Sequence, residues 1–324
     1  MYPPGVSVTD SNFSAMNCRL WAITSFFNPC NYQNRRSNYD IFRQRLQVPL
    51  VTVELSFTGK FQLTDQDADI LIQIHGKDVM WQKERLLNVA IESLPDDCDQ
   101  VAWVDCDIVF ENENWPRDAE AALENYWVIQ PFEYSYEVNR SAPTDRFSPE
   151  RSHHKCESLA KTMEHTAMTR ELMHSTDKRT LGFTPGLAWA ARRDLLDRHK
   201  LYDACIVGGG DGPILSGVLG NFQDISDYLM MNPRRQQHYL AWVKPFYEEV
   251  AGSFAYIPGS IYHLWHGAIK DRDYAGRRAE LENHAFDPYR DIAVSSNGCW
   301  QWSSDKPGLH RYLKDYFARR FEDG

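Results

Sequence analysis

In the stretch VAWVDCDIVFENENW, residues 101–115, two carboxylates two positions apart, Asp105 and Asp107, interrupt an otherwise apolar run. An ionised carboxylate taken out of water without a partner is costly, or else it takes up a proton. The arrangement therefore demands positive charge from elsewhere. On an extended strand, side chains at i and i+2 project to the same side. A strand reading aims both carboxylates at one point, where a shared cation would relieve their repulsion. Hard oxygen ligands of this kind suit Mg2+ or Mn2+, and such ions commonly carry substrate phosphates as well. The competing reading is a strand end whose aspartates cap the next turn or helix.

Four other stretches carry chemistry. GGGDG, residues 208–212, lets the backbone approach a ligand closely because glycine has no Cβ, and it presents Asp211. HLWHG, residues 263–267, sets His263 and His266 three apart, and neutral imidazole is a good ligand for transition metals. QKER, residues 82–85, brings Lys83 and Arg85, while KDRDYAGRR, residues 270–278, brings Arg272, Tyr274, Arg277 and Arg278. Either basic stretch can neutralise phosphate or form a solvated face. His153, His154, Cys156 and His165 match no standard zinc spacing.

The elements that would position these groups follow from periodicity. LWAITSFFN (20–28), PLVTVELSF (49–57) and DILIQIHG (69–76) read as strands, the second with apolar residues alternating against Thr52, Glu54 and Ser56. Residues 77–95 have helical spacing, with Leu87, Ala90, Ile91 and Leu94 on one face, opposite Trp81, Arg85 and Asn88. The Asp105–Asp107 stretch reads as the next strand, followed by a helix over 116–125 and a strand in YWVIQPF. Such alternation predicts an α/β, Rossmann-like fold, a mostly parallel sheet flanked by helices with ligands beyond the strands' carboxyl ends. Over 136–180 the apolar rhythm fails, so a mobile loop is expected there, with a short helix near 159–173. A strand leading into a helix returns after residue 181, and a C-terminal helix ends the chain.

With 324 residues, 43% of them hydrophobic and 25% charged, the chain can bury a sizeable core as one large α/β unit or two domains. Its net charge of −10 and lack of a long basic run argue against a nucleic-acid surface. Seven cysteines with no C-x-x-C pair favour reduced thiols and a cytoplasmic location. Residues 1–18 read as a loose leader without signal-peptide character, and no apolar run is long enough to span a membrane.

Taken in order, AITSFFN, KERLLNVAI, VAWVDCDIVF, GLAWAARRDLL, GGGDG and HLWHG resemble the GT-A-fold, nucleotide-sugar-dependent glycosyltransferases. This broad group includes the family-two enzymes and the animal galactosyltransferases. The resemblance spans residues 20–267. It implies Mn2+ (or Mg2+) held by Asp107 with His266 or His263 and helped by Asp105. Of the two histidines His266 is favoured, since Gly267 allows a tight bend beside it. The resemblance also implies a nucleotide-sugar pocket formed by Thr24, Ser25, Phe26, Glu54, Lys83, Arg85, Asp105, Trp189, Gly209 and Gly210. Asp211 would take the proton of an acceptor hydroxyl during an inverting transfer. Relatives commonly read G-G-E-D or W-G-x-E at that loop, and this chain departs by offering a single Asp and no Trp. The implied layout is a catalytic domain over 19–270 and an extension over 271–324 packed on it. Within the domain, 19–135 would be the nucleotide-sugar half, 136–180 an acceptor-side loop and 181–270 the acceptor half. The partners implied are a nucleotide sugar, with uridine the family's commonest base, and a glycan or other hydroxyl acceptor. Phosphatases of the haloacid dehalogenase type carry their D-x-D on the first strand with Thr or Val next, unlike Ile108 here. A nucleotidyltransferase and a non-catalytic nucleotide-sugar or glycan-binding protein remain as alternatives.

Overall fold

The computed structural model describes residues 19–141, 146–167 and 182–324. The expected leader, and residues 142–145 and 168–180 of the expected loop, lie outside them. The apolar runs of the first hundred residues form β1 (Leu20–Phe27), β2 (Leu50–Ser56), β3 (Ile70–His75) and β4 (Gln100–Val104). They are mutually parallel, with β1 between β2 and β4 and β3 at the edge. Three later strands complete a seven-stranded sheet: β6 (Val128–Gln130), β10 (Ala188–Arg192) and β11 (Phe254–Tyr256). β10 runs antiparallel to both β4 and β6, and the remaining pairs are parallel. The molecule is thus mixed α/β with a mostly parallel sheet, as expected.

Helices cover both faces, which is why the alternation in β2 does not end in water. Every β2 residue is buried. Thr52 meets the Tyr39 hydroxyl at 2.8 Å, and Glu54 accepts backbone N–H groups from Gln62 and Leu63. The helix Lys83–Glu92 buries Leu86, Leu87, Ala90 and Ile91 against one face of the sheet. It starts six residues later than its periodicity suggested, because Gln82 bonds in both directions with the Trp300 backbone instead of continuing a helix. The helix Gln33–Arg45 was not anticipated. Its sequence is almost wholly polar, and only Asn38, Tyr39 and Phe42 are buried.

A second sheet alters two expectations. It runs β5 (Ile108–Phe110), β12 (Ser260–His263), β7 (Tyr134–Val138), β8 (Ser152–Ser158) and β9 (Phe183–Thr184). The Asp105–Asp107 segment is consequently a turn between strands of two different sheets, not the end of one strand. Residues 136–158 are also not simply a loop. β7 and β8 pair antiparallel, with Cys156 buried opposite Ser135, and the short helix Leu159–Thr162 follows. The polar composition hid this hairpin because only one face of it is covered.

The C-terminal region, with the helix Pro307–Ala318 and the hairpin Ile292–Val294/Trp300–Trp302, shares a core with the rest. Leu281, Leu309 and Leu313 pack with Met80, Tyr202 and Ile206. Among the described residues, six cysteines are free and no helix is long and apolar enough to cross a membrane.

Candidate active site

After Val104 the chain leaves the large sheet, and hydrogen bonds fix how it turns. The Asp105 N–H donates to the Leu187 carbonyl (2.9 Å), the Ile108 N–H to the Asp105 carbonyl (3.2 Å) and the Leu264 N–H to the Asp107 carbonyl (2.9 Å). The two carboxylates therefore diverge. Asp105 Oδ1 lies 2.6 Å from Lys83 Nζ, which also reaches Asp211 Oδ1 at 3.4 Å. Burial alone would push the Lys83 ammonium down, but the two carboxylates hold it well above its usual range. Asp105 thus takes its positive charge from lysine, and the structure does not bring it into one group with Asp107, whose metal it was expected to help hold.

Asp107 faces the two histidines. Its Oδ1 is 3.7 Å from His263 Nε2, its Oδ2 is 3.4 Å from His266 Nε2, and the two Nε2 atoms are 3.0 Å apart. One ligand atom from each residue fits within a 4.8 Å group. Behind the rings, His263 Nδ1 lies 3.9 Å from Glu137 and His266 Nδ1 lies 4.0 Å from Glu322. Carboxylates in that position are the usual orienting partners of metal-ligating histidines. Burial, and then the Arg272 cation, push the His266 imidazole down to about 3, so it is neutral at physiological pH. Asp107 Oδ1 is buried without a hydrogen-bond partner among the described residues. An orphaned carboxylate oxygen converging with two imidazole nitrogens fits a divalent transition ion.

The same cavity, about 410 Å³, is lined on another side by arginines. Arg272, Arg277 and Arg278 are 9%, 7% and 6% exposed, and among the described residues none is ion-paired to a carboxylate. Arg277 donates to the Tyr316 hydroxyl (2.8 Å) and lies over the Tyr274 ring, while Arg278 lies over Tyr228 and donates to its carbonyl. Arg35 and Arg320 also border the cavity but share the buried Glu322. Three guanidinium groups nine-tenths out of water, with no carboxylate partner among the described residues, suit an anion.

The glycine run serves this arrangement. Gly208 and Gly209 adopt φ of +82° and +89°, and a Cβ on Gly208 would sit 3.3 Å from Arg277 and Trp81. At Gly210 a Cβ would overlap the carboxyl group of Glu84, which burial pushes up to about 8. Asp211 then opens the helix Asp211–Leu219 and faces the cavity.

Of the residues singled out from sequence, the cavity gathers Thr24, Ser25, Lys83, Asp105, Asp107, Gly209, Asp211, His263 and His266. Thr24 is buried, its hydroxyl donating to the Val104 carbonyl across the ends of two parallel strands. Five residues are corrected. Phe26 points to the opposite face of the sheet, edge-on to Tyr39, and Phe27 lines the cavity instead. Glu54 is spent on backbone amides and the Gln73 side chain. Arg85 turns away to Asp203 at 3.0 Å. Trp189 is stacked between Trp103 and Phe254 in the core. Gly210 makes room for Glu84 and is not part of the lining. Sequence reasoning missed Arg35, Trp81, Glu84 and Arg320, and nothing in their spacing separates them from ordinary helix or loop residues.

No protein-family profile matches the chain, and no curated protein matches it. Among solved structures, residues 1–349 of S. aureus TarS in complex with UDP-GlcNAc are similar at 13% identity, over 89% of this chain and 98% of that one, with a TM-score of 0.35. The mannosyltransferase PcManGT from Pyrobaculum calidifontis, in complex with GDP-Man and Mn2+, is similar at 11% identity over 98% and 89%, with a TM-score of 0.35. A 4-diphosphocytidyl-2C-methyl-D-erythritol synthase from Anaerococcus prevotii follows at 8% identity over 75% and 90%, with a TM-score of 0.32. Likenesses this remote carry no argument about the chemistry of this chain.

Proposed function

We propose that the chain is a metal-dependent glycosyltransferase of the GT-A type, moving a sugar from a nucleoside-diphosphate sugar to an acceptor hydroxyl. One observation carries the reading. A three-donor metal cluster and three buried, carboxylate-free guanidinium groups face a single cavity beyond the carboxyl ends of β1 and β4.

Asp107, His263 and His266 would hold the ion, with Mn2+ favoured over Mg2+ by the two nitrogen donors. When bound, that ion supplies Lewis-acid neutralisation of the diphosphate leaving group. Arg277 and Arg278 bind phosphate oxygens through charge-assisted hydrogen bonds in a site shielded from water. Thr24, Ser25 and Phe27, at the exit of β1, border the nucleoside end. Lys83, clamped between Asp105 and Asp211, orients Asp211, which takes the proton of the attacking hydroxyl. A base acting on the face opposite the leaving group gives inversion, with uridine the first base to test. The extension 271–324 acts as part of the catalytic unit because it supplies the guanidinium groups. The free cysteines suit a cytoplasmic setting.

The test is turnover of a nucleotide-sugar panel with and without Mn2+, followed by product analysis. Asp107→Ala should lower turnover at least about a hundredfold, equivalent to roughly 2.7 kcal/mol of barrier. A folded Asp107→Ala protein working at the wild-type rate refutes the metal assignment. Release of pyrophosphate instead of nucleoside diphosphate would make the protein a nucleotidyltransferase, and donor binding without any product would make it a binding protein.

A further inference from the structure

We propose that Arg272 gates the metal site: its guanidinium occupies the ligating nitrogen of His266 until a phosphate draws it away, so that ion and phosphate bind with positive coupling. The idea rests on the metal-site reading above and deepens it.

The geometry sets the conflict. Arg272 Nη2 lies 2.9 Å from His266 Nε2, the atom that faces Asp107 Oδ2 and His263 Nε2. A neutral imidazole has one in-plane lone pair. It can accept the arginine N–H or coordinate an ion, but not both. Metal entry through this nitrogen therefore requires Arg272 to leave.

The arginine is poorly held where it is. Its Nη1 meets the Tyr274 hydroxyl only at 3.4 Å, and its Nε is buried without a partner among the described residues. A guanidinium carries five N–H donors, and this one is nine-tenths buried and, among the described residues, ion-paired to no carboxylate. A phosphate entering between Arg272 and the neighbouring Arg277 and Arg278 offers the guanidinium an anionic acceptor, stronger than the neutral imidazole and hydroxyl acceptors it would give up. The main chain need not follow, because the Arg272 carbonyl accepts from the buried Tyr316 hydroxyl. Release of the side chain frees His266 Nε2 beside the orphaned Asp107 oxygen. By linkage, whatever factor phosphate adds to metal affinity the metal adds to phosphate affinity.

Direct contact between ion and phosphate would also couple the two, so the discriminating measurement is made without phosphate. Mn2+ binding to the full chain is followed by loss of the free-ion EPR signal in phosphate-free buffer, then repeated with inorganic pyrophosphate. Arg272→Met should bind Mn2+ about tenfold tighter than wild type, and pyrophosphate should strengthen binding less in the variant than in wild type. Arg277→Met removes an equal charge from the cavity without touching His266, and it should leave phosphate-free Mn2+ affinity close to wild type. Arg272→Gln serves the same test should the methionine variant fail to fold. If wild type binds Mn2+ and Arg272→Met binds it no tighter, or Arg277→Met tightens it equally, the gate is wrong while the metal site stands. If neither wild type nor the variants take up Mn2+ with or without pyrophosphate, the metal reading falls and the gate falls with it.

Discussion

Arg277→Met separates an anion site from a structural arginine by the sign of two effects. In the free protein the guanidinium is 7% exposed, donates to the Tyr316 hydroxyl at 2.8 Å, and lies 4.6 Å from the centre of the Tyr274 ring. Losing the hydrogen bond costs about 1.5–3 kcal/mol and losing the cation–π contact about 0.5–2 kcal/mol. Against this, an uncompensated buried cation carries a desolvation penalty of several kcal/mol, which methionine, of similar length and able to fill irregular space, does not. The terms offset, so stability should change by no more than about 1 kcal/mol, roughly 2–4 °C in Tm. Phosphate affinity should respond quite differently. One lost charge-assisted bond is about 1.5–3 kcal/mol, or roughly 10- to 150-fold in Kd. Because the contact is to phosphate, the loss should be the same for UDP, GDP and inorganic pyrophosphate. Isothermal titration with Mn2+ present and differential scanning fluorimetry without ligand measure the two quantities separately. A large fall in Tm with unchanged phosphate affinity would refute the reasoning, since Arg277 would then be holding the fold.

Three further expectations concern stability and local dynamics. Arg85→Met should leave donor affinity intact but lower stability by about 3 kcal/mol in urea unfolding, because it strands the buried Asp203 carboxylate. Gly267→Ala should loosen the C-terminal tail: φ is +93° there, and a Cβ would stand 2.9 Å from the Arg320 carbonyl oxygen. Faster amide exchange confined to residues 318–324 is the expected signature, and unchanged exchange there counts against it. Glu84 is held up to about 8 by burial against an ordinary value of 4.5, so the folded state keeps a proton that the unfolded chain gives up. Stability should therefore fall as pH rises from about 4.5 to 8 and level off above, a slope that Glu84→Gln lacks. Parallel Tm–pH curves for the two proteins would discount the buried carboxyl group.

The parts legible in the sequence are those whose signal is local. Apolar runs marked β1, β3 and β4, alternation marked β2, and the stripe Leu87, Ala90, Ile91 marked the helix behind them, because burial on a sheet writes itself into neighbouring positions. Asp107, His263 and His266 stood out because those side chains are seldom placed together in apolar segments without a task. Orientation was not legible. Arg85 and Lys83 differ by two positions on one helix, yet one meets Asp203 and the other enters the cavity. Phe26 and Phe27 are adjacent, and the pleat sends them to opposite faces. The hairpin of β7 and β8 was hidden because its polar residues include ones buried by neighbours distant in sequence, such as Ser135 and Ser158.

The turn at Asp105 explains why the candidate site draws on separate stretches of chain. Had residues 101–110 stayed one strand, both carboxylates would have faced the same cation. By switching sheets after Val104, the chain splits the pair, and each half recruits a different positive charge. Asp105 is satisfied within the protein by Lys83, a contact that also fixes Asp211 on the far side of the lysine. Asp107 has no lysine or arginine partner among the described residues; β12 and the loop after it bring His263 and His266 beside it, and His266, held neutral, adds no charge. The unmet charge is then left for a ligand to complete. Arg277 and Arg278 cannot end that deficit by closing on Asp107, because they are stacked on Tyr274 and Tyr228 and held by Tyr316 and the Tyr228 carbonyl. Among the described residues, a carboxylate with one orphaned oxygen and guanidinium groups without a carboxylate partner are thus kept apart in one cavity, and a cation bound to a polyanion would complete both at once.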